Sequence, residues 1–443
     1  MIFLTRIPLP VKKQKLRLLP KLNYQIWILA IGRFLLEFGT GFTLFYAPIF
    51  FVNKVGLSAT SVGIALGSAS LSGILGRILS GSFSDSPDIG RRRTLLLAAA
   101  VSAIGSMVLA ATDDLVTLLI GNTIAGMGLG LYWPANEAIV ADVTLPETRH
   151  EAYAITRLSD NLGLGMGIVL GGFLVATTGN YRLLFIIDAI SFAVFFVVVY
   201  FAIQENNRVP KSHITRNQQL VSWLTSLQDN HFRVFIIVNI IFTIYFSQLH
   251  STLPIYFKNF VSTGASGKGF SETTISTLFA WHLSIVILGQ LPIARVLKRF
   301  SDPLALVVSA VLWATGFLLI WMTCTVTSYH LVWAALALGI FALAIVSYTP
   351  SSSSLITELA PESQRGVYFA IGALCWAIGY AIGPSFGGWV LDQAEIIVTY
   401  YWLGLALTTG IAIAILLRLN KLIRNQIETE DKGERPIFPK SKI

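Results

Sequence analysis

Long apolar blocks separated by short polar breaks run through this chain of 443 residues. Each approaches the roughly 20 residues that carry an α-helix across a hydrocarbon core. In lipid every backbone N–H and C=O must be paired within its own segment, so such blocks fold as helices. A β-barrel would show segments of about 10 residues alternating in polarity, and the chain has none. Charged residues make up 12% of the sequence and hydrophobic ones 54%, whereas a soluble domain carries about 25% charged residues. So little charge cannot clothe a water-soluble protein of this size. The expected fold is all-α and integral to the membrane.

The blocks give twelve spans, near 25–51, 57–80, 94–111, 115–141, 152–176 and 182–204, then 233–258, 271–296, 303–324, 328–356, 367–391 and 398–418. They divide the chain into an N-terminal segment (1–24), a first six-helix bundle (25–204), a polar linker (205–232), a second bundle (233–418) and a charged tail (419–443). The basic N-terminal segment lacks a short apolar core with a small-residue cleavage site, so the first block is expected to remain as a span. Alternate loops differ sharply in charge. One set, with both termini, carries 25 of the 32 Lys and Arg residues. The other set has Lys54, Arg182, Lys258 and Lys268. By the positive-inside rule both termini are expected in the cytoplasm, with the chain multi-pass in the plasma membrane. The net charge of +9 then reflects orientation, and nucleic acid is not an expected partner.

The two halves repeat. Pro134 and Asp142 align with Pro350 and Glu358 at an offset of 216, as do Gly163, Gly167, Gly171 and Gly172 with Gly379, Gly383, Gly387 and Gly388. Pro48 is echoed by Pro254, and the Gly76-Arg77 pair by Gly289-Gln290. Parallel six-span repeats with a site at their interface are a transporter plan.

Between the second and third spans lie Gly81, Asp85, Gly90 and the run Arg91 to Arg93. A small residue lets helix ends approach, an acid pairs with a base or a helix N-terminus, and the arginines anchor a membrane surface. This loop resembles the signature of the major facilitator superfamily, with two extra residues between Asp85 and Gly90. The resemblance covers essentially the whole chain and implies the major facilitator fold, two pseudo-symmetric bundles of six helices. It also implies that Gly81, Asp85, Gly90, Arg91 and Arg92 latch the halves and control gating. The glycines of the fifth span resemble a signature of exporters in that family, with Ile168 in place of the usual proline; Gly379, Gly383, Pro384 and Gly387 of the eleventh carry it complete. Small residues four apart let helices pack closely. Because Pro384 removes a backbone donor, this stretch reads either as a packing face or as a hinge between halves. Asn122 stands where proton-coupled drug antiporters typically have arginine. Within the superfamily the chain resembles the twelve-span drug:proton antiporters.

Ionisable side chains at bilayer depth are costly and mark functional candidates. Arg33 and Glu37 share a face of the first span, and Glu137, Arg157 and Asp160 lie at similar depth in the fourth and fifth. Two readings are open. The five form a closed structural network with Arg33 and Arg157 as the bases, or one carboxylate is left unpaired as a proton carrier, with Glu37 first, then Glu137 and Asp160. Asp142 and Glu358 are expected to pair with Arg149 and Arg365. Arg77 reads as structural, and Asp188 as a side chain that snorkels or bonds a neighbour. In the family, spans 1, 4, 7 and 10 line the cavity, which points to Tyr46, Tyr132, Trp133, Tyr245, Gln248, His250 and Tyr348.

Cys324 and Cys375 lie within apolar blocks without Cys or His company, so no metal or disulfide is expected. No Walker A, HExxH or GxSxG motif occurs, and no cofactor or enzymatic activity is expected. The resemblance implies a secondary active transporter working by alternating access, functional as a monomer: a proton-coupled exporter of amphipathic or drug-like small molecules. The alternatives are a facilitator or symporter for a sugar, organic acid or lysolipid, and a membrane-embedded enzyme or receptor.

Overall fold

The computed structural model describes residues 22–84, 86, 88–144, 149–203, 216–261, 269–297, 299–326, 328–361 and 364–431. Among these the chain forms fifteen helices. In the first half they are α1 (Tyr24–Thr43), α2 (Tyr46–Asn53), α3 (Ala59–Ser84), α4 (Gly90–Ala110), α5 (Leu115–Asp142), α6 (Arg149–Thr178) and α7 (Arg182–Ala202). After α8 (Arg216–Gln228), which falls in the polar linker, come α9 (Asn230–His250), α10 (Thr252–Asn259), α11 (Glu272–Leu297), α12 (Asp302–Thr325), α13 (His330–Leu359), α14 (Arg365–Leu391) and α15 (Glu395–Asp431). Twelve helical stretches are long and apolar enough to cross a membrane, with α1 and α2 counted as one and α9 and α10 as another. Their outer surface is apolar: Phe201 is 81% and Leu288 76% exposed, which suits lipid and not water.

Caps mark several starts. Asp114 accepts from Thr117 N at 2.9 Å, and Asp229 from His231 N at 2.9 Å. The internal repeat is visible as a shared break. α2 and α10 are both eight residues long, each has proline as its third residue, and the two pack on each other. α15 continues past the apolar block that ends near 418, because the residues that follow contain no glycine or proline before Gly433.

Backbone packing organises both halves in the same way. A β-carbon on Gly163 or Gly167 of α6 would stand 2.3 and 2.2 Å from carbonyls of α1, and one on Gly379 or Gly383 of α14 would collide with Thr243 and Ser247 of α9. The paired glycines then divide the work. Gly171 faces Phe42 and Tyr46 of α1 and α2, and Gly172 faces Ser276 of α11 in the other half together with the Tyr46 hydroxyl. Gly387 faces Gln248 and Thr252 of α9 and α10, and Gly388 faces Ala59 of α3 across the interface. Neighbours on a helix point about 100° apart, so two adjacent glycines serve two interfaces.

The helix ends define two faces. The basic face carries Tyr24, Arg91 to Arg93 and the end of α15; the opposite face carries Asn53, Ala59, Asn259 and Leu391. The named contacts between halves lie towards the opposite face. Asn53 and Asn259 exchange amide hydrogen bonds at 2.8 Å, Tyr181 donates to Glu272 at 2.8 Å, and the Phe45 and Phe279 rings stack at 3.7 Å. Gly63 admits the Pro384 carbonyl. The protein is therefore closed at the opposite face.

Candidate functional site

Arg33 of α1 is 1% exposed and binds two other helices. Its Nε donates to Asp160 Oδ1 of α6 at 2.8 Å, its Nη2 donates to the other oxygen of that carboxylate, and its Nη1 donates to Glu137 Oε1 of α5 at 3.1 Å. Its guanidinium carbon lies 5.3 Å from the centre of the Trp133 ring. This fork-to-carboxylate geometry is among the stronger polar contacts available to a protein. The network has one base and two acids. Arg157, expected as the second base, is exposed and forms no ion pair among the described residues. It lies about 120° round α6 from Gly163, the residue that seats on α1. Glu37, one turn beyond Arg33, is half-buried and makes no hydrogen bond or ion pair among the described residues.

Between the halves lies a cavity of about 280 Å³. Its first-half wall is built from α1 and α2 (Thr43, Ala47, Phe51), α4 (Ser102, Ser106) and α7 (Phe185, Asp188, Phe192). Ser247, His250, Ser251, Tyr380 and Pro384 supply the second-half wall. A second cavity of about 260 Å³ shares Ala69, Ser70, Gly126, Leu129 and Tyr380 with it and extends to Arg77, Trp133 and Trp376. The space thus continues from the closed face towards the basic one.

Of the seven side chains expected along the cavity, His250 lines the first space and Trp133 the second. The other five are packed within the bundles. Tyr46 donates to Ile168 O at 3.1 Å, and the Tyr245 hydroxyl meets Thr408 Oγ1 at 2.8 Å. Tyr348 donates to Asn239. Tyr132 is 2% exposed against Phe195 and Trp133. Gln248 donates to Gly383 O at 2.9 Å and accepts from Thr252 and Tyr401 at 2.6 and 2.8 Å, which binds α9 to α14. The helices of Tyr46, Tyr132, Tyr245 and Gln248 border the cavity through other residues, so helix rotation turns these four inward, whereas α13, which carries Tyr348, supplies no lining residue to either space among the described residues.

The loop residues act locally. Asp85 lies outside the described residues. A β-carbon on Gly81 would meet nothing within 4 Å, so its smallness serves no close approach here. Gly90 begins α4 at φ +72°, a conformation that favours glycine. Arg91 pairs with Asp142 and donates to Ala138 O at 3.1 Å, and Arg92 reaches the carbonyl and ring of Tyr200. All of these partners are in the first half, so these contacts brace one bundle. Asp142 is thereby paired with Arg91; the side chain of Arg149, its expected partner, lies outside the described residues. Glu358 and Arg365 form no ion pair with each other; Glu358 shares a surface groove with Arg299, Asp302 and Arg424. The eleventh-span glycines Gly379, Gly383 and Gly387 are a packing face towards α9 and α10, and Pro384 sits at the contact with α3.

A sequence profile described as the Major Facilitator Superfamily matches residues 29–267 and 260–442. The chain belongs to that superfamily. As one of its members it is a secondary transporter. It is similar to a Na(+), Li(+), K(+)/H(+) antiporter of Planococcus maritimus, with 25% identity covering 82% of this chain and 88% of the relative. It is also similar to the multidrug resistance protein MdtH of Baumannia cicadellinicola subsp. Homalodisca coagulata, with 26% identity covering 78% and 79%. The crystal structure of the nucleoside transporter NupG superposes with a TM-score of 0.77 at 14% identity, over 90% of this chain and all of that one; this likeness concerns the fold. In this superfamily member two cavity residues escape motif reading. Arg77 lines the space between halves, and Asp188 lines the central cavity. The sequence does carry a signal for Asp188: it is the one acid in an apolar block that runs from Leu183 to Phe201.

Proposed function

We propose that this transporter is a proton-coupled exporter of amphipathic small molecules, seated in the plasma membrane with its basic face in the cytoplasm and working as a monomer. The structure then corresponds to an inward-facing state, with the cavity reached from the cytoplasmic side. The observation that carries the coupling assignment is the asymmetry of the acidic groups around Arg33. Asp160 and Glu137 are held by that guanidinium, and Glu37, four residues along α1, is held by nothing among the described residues. Glu37 stands one turn before Thr40, which lines the central cavity. An unpaired carboxylate so placed is the group best suited to gain and lose a proton as the halves rock. Relatives named as a cation/H(+) antiporter and a multidrug resistance protein support the same reading.

Alternating access in this scheme is a rocking of the halves about the contacts of α3 with α14 and of α6 with α11, and releases the Asn53–Asn259 and Tyr181–Glu272 links. The test is flux in liposomes loaded with ethidium under an imposed pH gradient. The wild type is expected to move the dye in response to the gradient. Glu37→Gln is expected to lose that response and keep gradient-independent exchange of the dye. Gradient-driven flux unchanged by Glu37→Gln would remove Glu37 as the carrier.

A further inference from the structure

Two grooves on the basic face differ in charge. One mixes Arg299 and Arg424 with Asp302 and Glu358. The other, of about 630 Å³, lies between α9 and α15, which pack on each other. His231 and Arg233 of α9 and Arg418 of α15 supply its polar end, and Val234, Ile237 and Leu422 its apolar wall. No acid lines it among the described residues. The acid nearest in sequence, Asp229, is engaged elsewhere. Its Oδ1 accepts from the backbone N–H groups of His231 and Phe232 at 2.9 and 3.2 Å, with His231 Nδ1 3.8 Å away, and its Oδ2 accepts from Tyr368 at 2.9 Å.

Arg233 and Arg418 are exposed and form no ion pair among the described residues. Arg233 donates to Asn230 Oδ1 through Nη2, which leaves the rest of its fork to a ligand. Their height is set by the sequence. α9 carries no charge from Val234 to Leu249, and α15 none from Ile396 to Leu417. Two packed helices thus place a guanidinium at the same boundary of the apolar layer. One turn further in, Ile237 is 52% exposed and continues the groove along lipid-facing surface. A guanidinium fork fits phosphate oxygens in pairs, and basic pockets between spans at a headgroup layer suit anionic lipid. A soluble anion would use the arginines and leave the apolar wall bare. The repeat supplies an internal comparison. By the offset of 206 that aligns Pro48 with Pro254, Arg233 falls on Trp27, and α7 has no Lys or Arg from Leu183 to Ala202. The α1 and α7 pair of the first half therefore lacks both bases.

We infer that the groove between α9 and α15 is a binding site for an anionic phospholipid. Arg233 and Arg418 share its headgroup phosphate, and Val234, Ile237 and Leu422 take the start of an acyl chain. This goes beyond the exporter reading and needs neither its protons nor its direction. The test titrates the purified full chain in detergent with dioleoyl phosphatidylglycerol, dioleoyl phosphatidylcholine and glycerol 3-phosphate, and counts bound copies by native mass spectrometry. The two lipids share their chains and differ in charge; glycerol 3-phosphate carries the charge without chains. The anionic lipid is expected to bind about tenfold more tightly than the zwitterionic one, on the scale that two bases at a headgroup layer supply, and glycerol 3-phosphate is expected not to bind. Arg233→Gln with Arg418→Gln is expected to bring the two lipids to equal affinity. Arg424→Gln, which removes a base from the other groove, is expected to keep the preference. Equal affinities in the wild type, a preference that survives the double change, or an equal loss from Arg424→Gln would overturn the assignment. Glycerol 3-phosphate binding as tightly as the lipid would also overturn it, in favour of a soluble phosphate ester. The wild-type comparison stands even where a variant does not fold.

Discussion

Asp392, just past the end of α14 in the second half, accepts hydrogen bonds from the backbone N–H groups of Ala59 and Thr60 at 2.9 and 2.8 Å. A carboxylate of one half thus caps the first turn of α3 in the other, where the free N–H groups and the helix dipole favour negative charge. The cap exists when the opposite face is closed and is lost when the halves part there.

Asp392→Ala is accordingly expected to weaken the closed arrangement of that face. Hydrogen bonds to a charged acceptor contribute about 1.5–3 kcal/mol, and the exposure of Asp392 puts this set at the low end. A shift of about tenfold in the ratio of closed to open states follows. Distances between spin labels placed on the α2 and α10 ends report it, as a growing long-distance population.

Of two glycines of α3, one is expected to respond to substitution and the other is not. A β-carbon on Gly63 would stand 2.0 Å from the Pro384 carbonyl, whereas one on Gly81 meets open space. Gly63→Ala is expected to push the halves apart at the opposite face and to change the same label distances. Gly81→Ala is expected to leave the distances unchanged and to move thermal stability by no more than about 0.5 kcal/mol. A Gly81→Ala variant that impairs gating would restore a latch role for that position.

Arg33→Met is expected to be among the most damaging single changes in the first half. It leaves Asp160 without the base that holds both its oxygens, and breaking a buried pair from one side costs about 3–5 kcal/mol. Glu137, whose side chain is 37% exposed, contributes little of that loss because water reaches it. The double change Arg33→Met with Asp160→Asn is expected to recover most of the lost stability, and Arg33→Met with Glu137→Gln to recover little. Melting temperatures of the four proteins in one detergent give the comparison.

Much of the architecture is legible in the sequence because it depends on local properties. Apolar length set the number of spans, and an offset of 216 marked the two halves before any contact was known. The glycine pairs were visible too, yet their division of labour was not. That Gly171 serves α1 and α2 while Gly172 also reaches α11 depends on where those other helices stand. The same holds for the aromatic residues. Tyr245 lies on a helix that borders the cavity, and only the rotation of that helix turns it into the bundle; Tyr348 lies on α13, which lines neither space among the described residues.

By itself, then, the sequence determined a membrane protein of twelve spans in two repeated halves, with buried charge concentrated in the first. Tertiary structure decided which of those charges meet. Arg33 takes Glu137 and Asp160, Arg157 is exposed, and Glu37 and Asp188 form no ion pair among the described residues. Span length and helix period are set by neighbours a few residues apart, as backbone pairing in lipid requires. The pairing of Arg33 with side chains more than 100 positions away is set by how helices rotate and dock, and no local pattern encodes that.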